Sequence, residues 1–189
     1  MTVVERATTD PRAPVRNVNA ALAGAWSELE DSLSELIALV EPLDEAAINW
    51  RPPVPDSNSI AVLVRHTIGA ASMWCSIALD EPFERDRDAE FRVHESSAAL
   101  VAALREFVSS LGGQFERLDT VDPASVHHDP RRGSDGEAHT AGWCIAHVLS
   151  HTGEHWGQIQ LTRDLYRAGG REGSTASEAS VVRPPEERA

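Results

Sequence analysis

His147-Val148-Leu149-Ser150-His151-Thr152-Gly153-Glu154-His155-Trp156-Gly157-Gln158-Ile159 decides how this chain folds. Stepping by three and four from Cys144 collects His147, Val148, His151, His155, Gln158, Ile159, Thr162 and Leu165, the period of an α-helix with one face turned inward. The opposite positions, Ser150, Gly153, Gly157, Gln160 and Asp164, are small or polar, which fixes the phase and predicts that the imidazoles point into the protein. Leaving a buried polar group without a partner costs about 1–3 kcal/mol, so inward histidines need hydrogen-bond partners or a metal. The helix opens at Thr140, a capping residue, and its pattern runs to about Ala168, where Gly169-Gly170 stop it.

Three more helices can be read ahead of it. The first spans about Asn17–Val40, with Leu22, Trp26, Leu29, Leu33, Leu36, Ile37 and Val40 at helical spacing, and ends near Pro42. A connector, Asp44 to Asn58, holds Trp50-Arg51-Pro52-Pro53 and is expected to be extended. The second helix starts at Ser57-Asn58-Ser59 and carries Ile60, Leu63, Val64, Thr67, Ala70, Ala71, Trp74 and Ala78 inward, with Arg65, Ser72 and Ser76 opposite. The third runs from about Ser97 to Leu118, weakened at Gly112-Gly113. No alternating strand pattern is evident, and residues 119–139 read as a loop. The expected fold is all-α, a four-helix bundle over 17–168, with solvated tails at 1–16 and 169–189.

Composition narrows the function. The chain has 189 residues, 41% hydrophobic and 25% charged, enough for one core without staples. Its net charge of −13 opposes nucleic acid and anionic membrane surfaces, so neither is expected as a partner. All 17 basic residues are arginine, which excludes Schiff-base lysine and P-loop chemistry. Two cysteines in apolar segments, Cys75 and Cys144, together with no apolar run of membrane length and no signal-peptide pattern, predict a cytoplasmic protein.

Residues four apart on a helix lie about 5–6 Å apart at Cβ, close enough for two imidazoles to share an ion. His151 with His155 meets that condition, and so does His147 with His151. His66, beside Leu63, Ala70 and Met73 on the second helix, supplies a third ring facing the bundle interior. Three neutral histidines leave coordination positions open, as catalytic rather than structural zinc sites do. Other readings carry less. His151-Thr-Gly-Glu-His155 spells the inverted zinc-peptidase pattern, but mostly tail follows it, with no helix to supply a further ligand. Cys144 with His147 lacks an orienting third group for nucleophilic catalysis. His127, His128 and His139 with Asp129 offer a loop metal site, or are simply solvated.

Asn49-Trp50-Arg51-Pro52, Ser57-Asn58-Ser59-Ile60, Val64-Arg65-His66 and the His147–Ile159 stretch together resemble the DinB superfamily, the YfiT-like metal-dependent bundles related to mycothiol-dependent maleylpyruvate isomerase and bacillithiol transferases. The resemblance covers most of 17–168. It implies a divalent metal, Zn or Ni, held by His66, His151 and His155, with His147 as an inner neighbour, in a bundle that is commonly a homodimer. It also implies a low-molecular-weight thiol, mycothiol-like, as cosubstrate, transferred as a metal-bound thiolate to a small electrophile. The family often has Arg where this chain has Trp156, so no role passes to that position. His147, Gln158, Trp74 and Trp156 are pocket candidates, and Glu154 is a weak candidate for an acid or base. The alternatives are a hydrolase with metal-activated water, and a non-catalytic metal-binding module of stress responses.

Overall fold

The computed structural model describes residues 18–129 and 137–170. The expected tails lie almost wholly outside the described residues, as does the middle of the 119–139 loop. Four long helices form the bundle: α1 (Val18–Val40), α3 (Ile60–Ala78), α5 (Ser97–Leu118) and α6 (Ala141–Leu165). Short helices α2 (Glu45–Asn49) and α4 (Arg87–Glu90) lie in the connections on either side of α3. The helical periods therefore give the right four elements. Ser59 and Thr140 cap α3 and α6, their hydroxyls accepting from Val62 N and Trp143 N.

Two connections differ from expectation. The 44–58 connector is not extended throughout: Asp44 accepts from Ala47 N and nucleates α2 before the prolines impose an extended run. The 119–139 loop contains a small antiparallel hairpin, β1 (Val126–His128) with β2 (Ala138–Thr140), in which His127 faces His139. Strands of three residues are too short to display an alternating pattern. Between α3 and α4 the chain turns sharply, because Asp80 takes a left-handed conformation (φ 56°) and Glu81 N reaches back to Ser76 O.

The core sits around α3, which packs mainly against α6 and also against α5, while α1 closes the bundle against α5 and α6. Leu29, Leu33, Ile60, Val64, Leu100, Leu104, Leu111, Val148 and Ile159 are fully buried. Because α3 is covered on nearly all sides, Ser76 is buried rather than outward, accepting a bond from Gln114 Nε2 at 3.3 Å. Among the described residues α3 is also the one helix long and apolar enough, by length and composition, to cross a membrane; most of it is inside the bundle. α5 continues through Gly112-Gly113, and the missing side chain at Gly112 leaves room for the Trp26 indole, 3.3 Å from where a Cβ would stand.

On α6 the buried face runs through Cys144, Val148, Thr152, Ile159 and Thr162. Its centre is displaced from the predicted stripe. Gln158 and Leu165 are exposed, and the three histidines occupy a half-buried flank rather than the middle of the core. The predicted outer face is borne out at Ser150, Gly153, Gly157 and Asp164, all exposed.

Candidate metal centre

α3 and α6 are neighbours in the bundle, and their flanks meet where His66 faces His151 and His155. One ring nitrogen from each lies within 4.8 Å of the others. His151 Nε2 and His155 Nε2 are 3.1 Å apart. Two nitrogens bound to one ion at about 2.1 Å stand roughly 3.0–3.4 Å from each other, so this spacing suits a shared cation. The ring centroid of His66 is 5.2 Å from that of His151 and 5.1 Å from that of His155. Of the two pairs open at the level of helical spacing, the structure brings His151 and His155 together with His66. His147 stands one turn away, its centroid 5.6 Å from His151.

Burial lowers the His66 pKa, against a raising hydrogen bond from Glu90, and burial followed by His155 and His66 pushes His151 down to about 3. Both rings are therefore neutral at pH 7, with lone pairs available to a cation. Three neutral imidazoles form a donor set that fits a borderline divalent ion.

The Nδ1 atoms of His155 and His66 are engaged. His155 Nδ1 lies 2.8 Å from Gln158 Oε1, and Gln158 Nε2 donates to Glu154 Oε1 at 3.4 Å. Gln158 thus touches a triad histidine although it is exposed, and Glu154 sits on the exposed side of it. His66 Nδ1 lies 2.9 Å from Glu90 Oε2, whose carboxylate is held by Arg85 through Nε at 2.6 Å and Nη2 at 2.7 Å. Arg85 Nη2 is also 3.2 Å from His66 Nδ1. The Glu90 carboxylate lies over Gly69, where a Cβ would collide with it. Phe91 sets its ring against His66 with a centroid distance of 5.0 Å.

No pattern in the sequence points to Glu90, Arg85, Gly69 or Phe91 as neighbours of His66. The 81–96 segment has no long period, and its local signals are two caps, Asp86 of α4, which accepts from Ala89 N, and Ser96 of α5, which accepts from Ala99 N.

Beyond His151 toward the helix start lies an aromatic stack. Trp143 is sandwiched between His139 (3.8 Å, 17°) and His147 (4.8 Å, 7°), and Trp74 meets His139, Trp143 and His147 edge-on at 5.0–5.2 Å. His139 and His127 are thus not solvated loop groups: their side chains are 13% and 15% exposed. Trp156 is half-buried against the hydrophobic core. Cys144 and Cys75 are free and buried, their thiols pushed up by burial to about 11 and about 12, which leaves no thiolate for the Cys144–His147 pairing at pH 7.

The sequence matches the family profile of the DinB superfamily over residues 28–159, and the chain belongs to that superfamily. The crystal structure of a DinB-like protein from Bacillus cereus ATCC 10987 superposes with a TM-score of 0.58, covering 80% of this chain and 92% of that one at 14% identity. At that identity the likeness is one of fold. No curated protein matches the sequence.

Proposed function

We propose that the chain is a metal-dependent enzyme in which His66, His151 and His155 hold one divalent cation, Zn or Ni, and which transfers a low-molecular-weight thiol to a small electrophile. The observation that carries this reading is the convergence of three ring nitrogens from two helices within 4.8 Å, a ligand number that leaves coordination positions free. When bound, the ion acts as a Lewis acid that lowers the pKa of a thiol reaching those positions.

The chain's own residues do the rest. Burial keeps His66 and His151 unprotonated. Gln158 orients His155, and the Trp74, Trp143 and His147 rings border the centre on the His151 side. Neither a lysine amine nor an ionised cysteine is available at this place, since the chain has no lysine and both cysteines are buried thiols. An attacking group supplied from solution fits that arrangement, which favours an external thiol. A hydrolase with metal-activated water would be helped by a free carboxylate as base. Glu154 is exposed and accepts from Gln158, and Glu90 is committed to Arg85 and His66. A reducing, cytoplasmic setting accords with two free thiols.

The test is metal content of the purified protein beside His66→Ala and His155→Ala, followed by thiol consumption in the presence of a chromogenic haloarene. About one ion per chain in wild type, lost in both variants, with turnover only in the loaded wild type, is the expected result. A protein that binds no divalent ion at pH 7.5 defeats the reading.

A further inference from the structure

We propose that the Glu90–Arg85 pair is the outer shell of this centre, fixing His66 in the tautomer that turns its Nε2 toward the cation, and that Asn49 and Arg51 are positioning residues for that pair. The inference rests on the metal reading above. An imidazole can coordinate through Nε2 only if its proton sits on Nδ1, and a proton there needs an acceptor. Glu90 Oε2, 2.9 Å from His66 Nδ1, is that acceptor. Arg85 Nη2, 3.2 Å from the same nitrogen, can only donate and would select the opposite tautomer. Because Arg85 already gives two short bonds to Glu90, the carboxylate absorbs the guanidinium and wins the contest at Nδ1. Without Glu90 an unbalanced positive charge would face both the ring and any bound cation.

Glu90 belongs to a segment with no long helix of its own to anchor it, so its position depends on what holds that segment. Asn49 does so like a missing strand: its Nδ2 donates to Glu95 O at 2.8 Å while its Oδ1 accepts from Glu95 N at 3.0 Å. Arg51 Nη2 donates to Phe91 O at 3.1 Å, next to Glu90 in the chain. Arg65, one residue before His66, grips the Glu95 carboxylate through two bonds of 2.8 and 2.7 Å. The Asn49-Trp50-Arg51 stretch thereby reaches the metal centre through Phe91 and Glu95 without touching a ligand.

Gly69 provides a way to move the Glu90–Arg85 pair without changing either residue. An alanine there fills the space of the Glu90 carboxylate and comes within 3.1 Å of Arg85 Nε, both the far ends of flexible side chains, so the pair shifts while the helix keeps its fold and gains propensity. Wild type, Glu90→Gln, Gly69→Ala and Asn49→Ala would be titrated with Co(II) and with Zn(II) against a chromophoric chelator. The visible spectrum of the Co(II) form and the melting of each apo protein would be recorded beside Arg105→Ala, a remote surface control. Loss of an outer-shell partner lowers metal affinity about 10–100-fold. We expect such a loss in Glu90→Gln, about tenfold in Gly69→Ala, and a smaller loss in Asn49→Ala, each with an altered Co(II) spectrum. Arg105→Ala should match wild type, and apo Gly69→Ala should melt no lower than wild type. If wild type binds one ion and Glu90→Gln and Gly69→Ala bind it equally well with an unchanged spectrum, the outer-shell assignment is overturned while the metal reading stands. If wild type binds none, both fall.

Discussion

The two sides of the centre are built differently. On α6, His151 and His155 are neighbours by helical spacing, and Gln158, one turn further, orients His155 from the same helix. On α3, His66 stands alone, and every group that sets its ring comes from elsewhere in the chain: Glu90 and Arg85 from 19 to 24 residues away, themselves secured by Asn49 and Arg51. A histidine pair made by one helix needs only that helix to form. A histidine propped from a distance needs the tertiary fold, so the α3 side couples the site to the rest of the molecule and the α6 side does not.

Removing an α6 ligand should have the largest effect: His151→Ala is expected to take the bound ion from about one per chain to none, read by mass spectrometry of the dialysed protein. The pH response comes next. His151 is held neutral down to about 3 in the fold but titrates near its ordinary 6.5 when unfolded. The unfolded chain therefore takes up the proton first, and the apo protein should lose stability progressively as pH falls from about 6.5 toward 3. Burial lowers His66 in the same direction. Metal release from the folded protein should consequently have its midpoint below pH 6.5, measurable by Co(II) absorbance. A release midpoint at or above 6.5 would mean that the rings are not shielded as the fold implies.

Gln158→Ala sharpens the contrast, because Gln158 is exposed and its partner is local. It should weaken metal binding only a few-fold, less than a change at Glu90. Equal losses would erase the distinction between the two sides. Thr140→Ala removes the cap of α6 and should cost about 1 kcal/mol in chemical denaturation, with little change in metal affinity. The smallest effect is expected at Gly157, where a side chain meets open space: Gly157→Ala should stabilise by about 0.5–1 kcal/mol through helix propensity and leave the ion in place.

The same division explains what could be read without a structure. The four helices announce themselves through leucine and valine spacing and through the caps at Ser59 and Thr140, all local properties. The His151–His155 pair is equally local, and so is the outer face of Gly153 and Gly157. Glu90 is not, since only the turn at Asp80 and the clamp between Asn49 and Glu95, 46 residues apart, bring it to His66. Ser76 misleads because α3 is covered on nearly every side, where a serine is buried with a partner rather than exposed. Gln158 and Leu165 mislead because three polar rings shift the buried arc of α6 toward Thr152 and Ile159, and apolar spacing alone does not show that rotation.

Under the function proposed above, the burial of Cys75 and Cys144 bears on how the protein would survive its reactants. A protein that handles electrophiles is itself exposed to them, and its commonest casualties are lysine amines and surface thiols. This chain has no lysine, and it shelters both thiols where they remain protonated. Alkylating reagents should therefore mark the two cysteines only in molecules that have opened, which makes them an internal clock for unfolding and a measure of how long the fold withstands electrophiles.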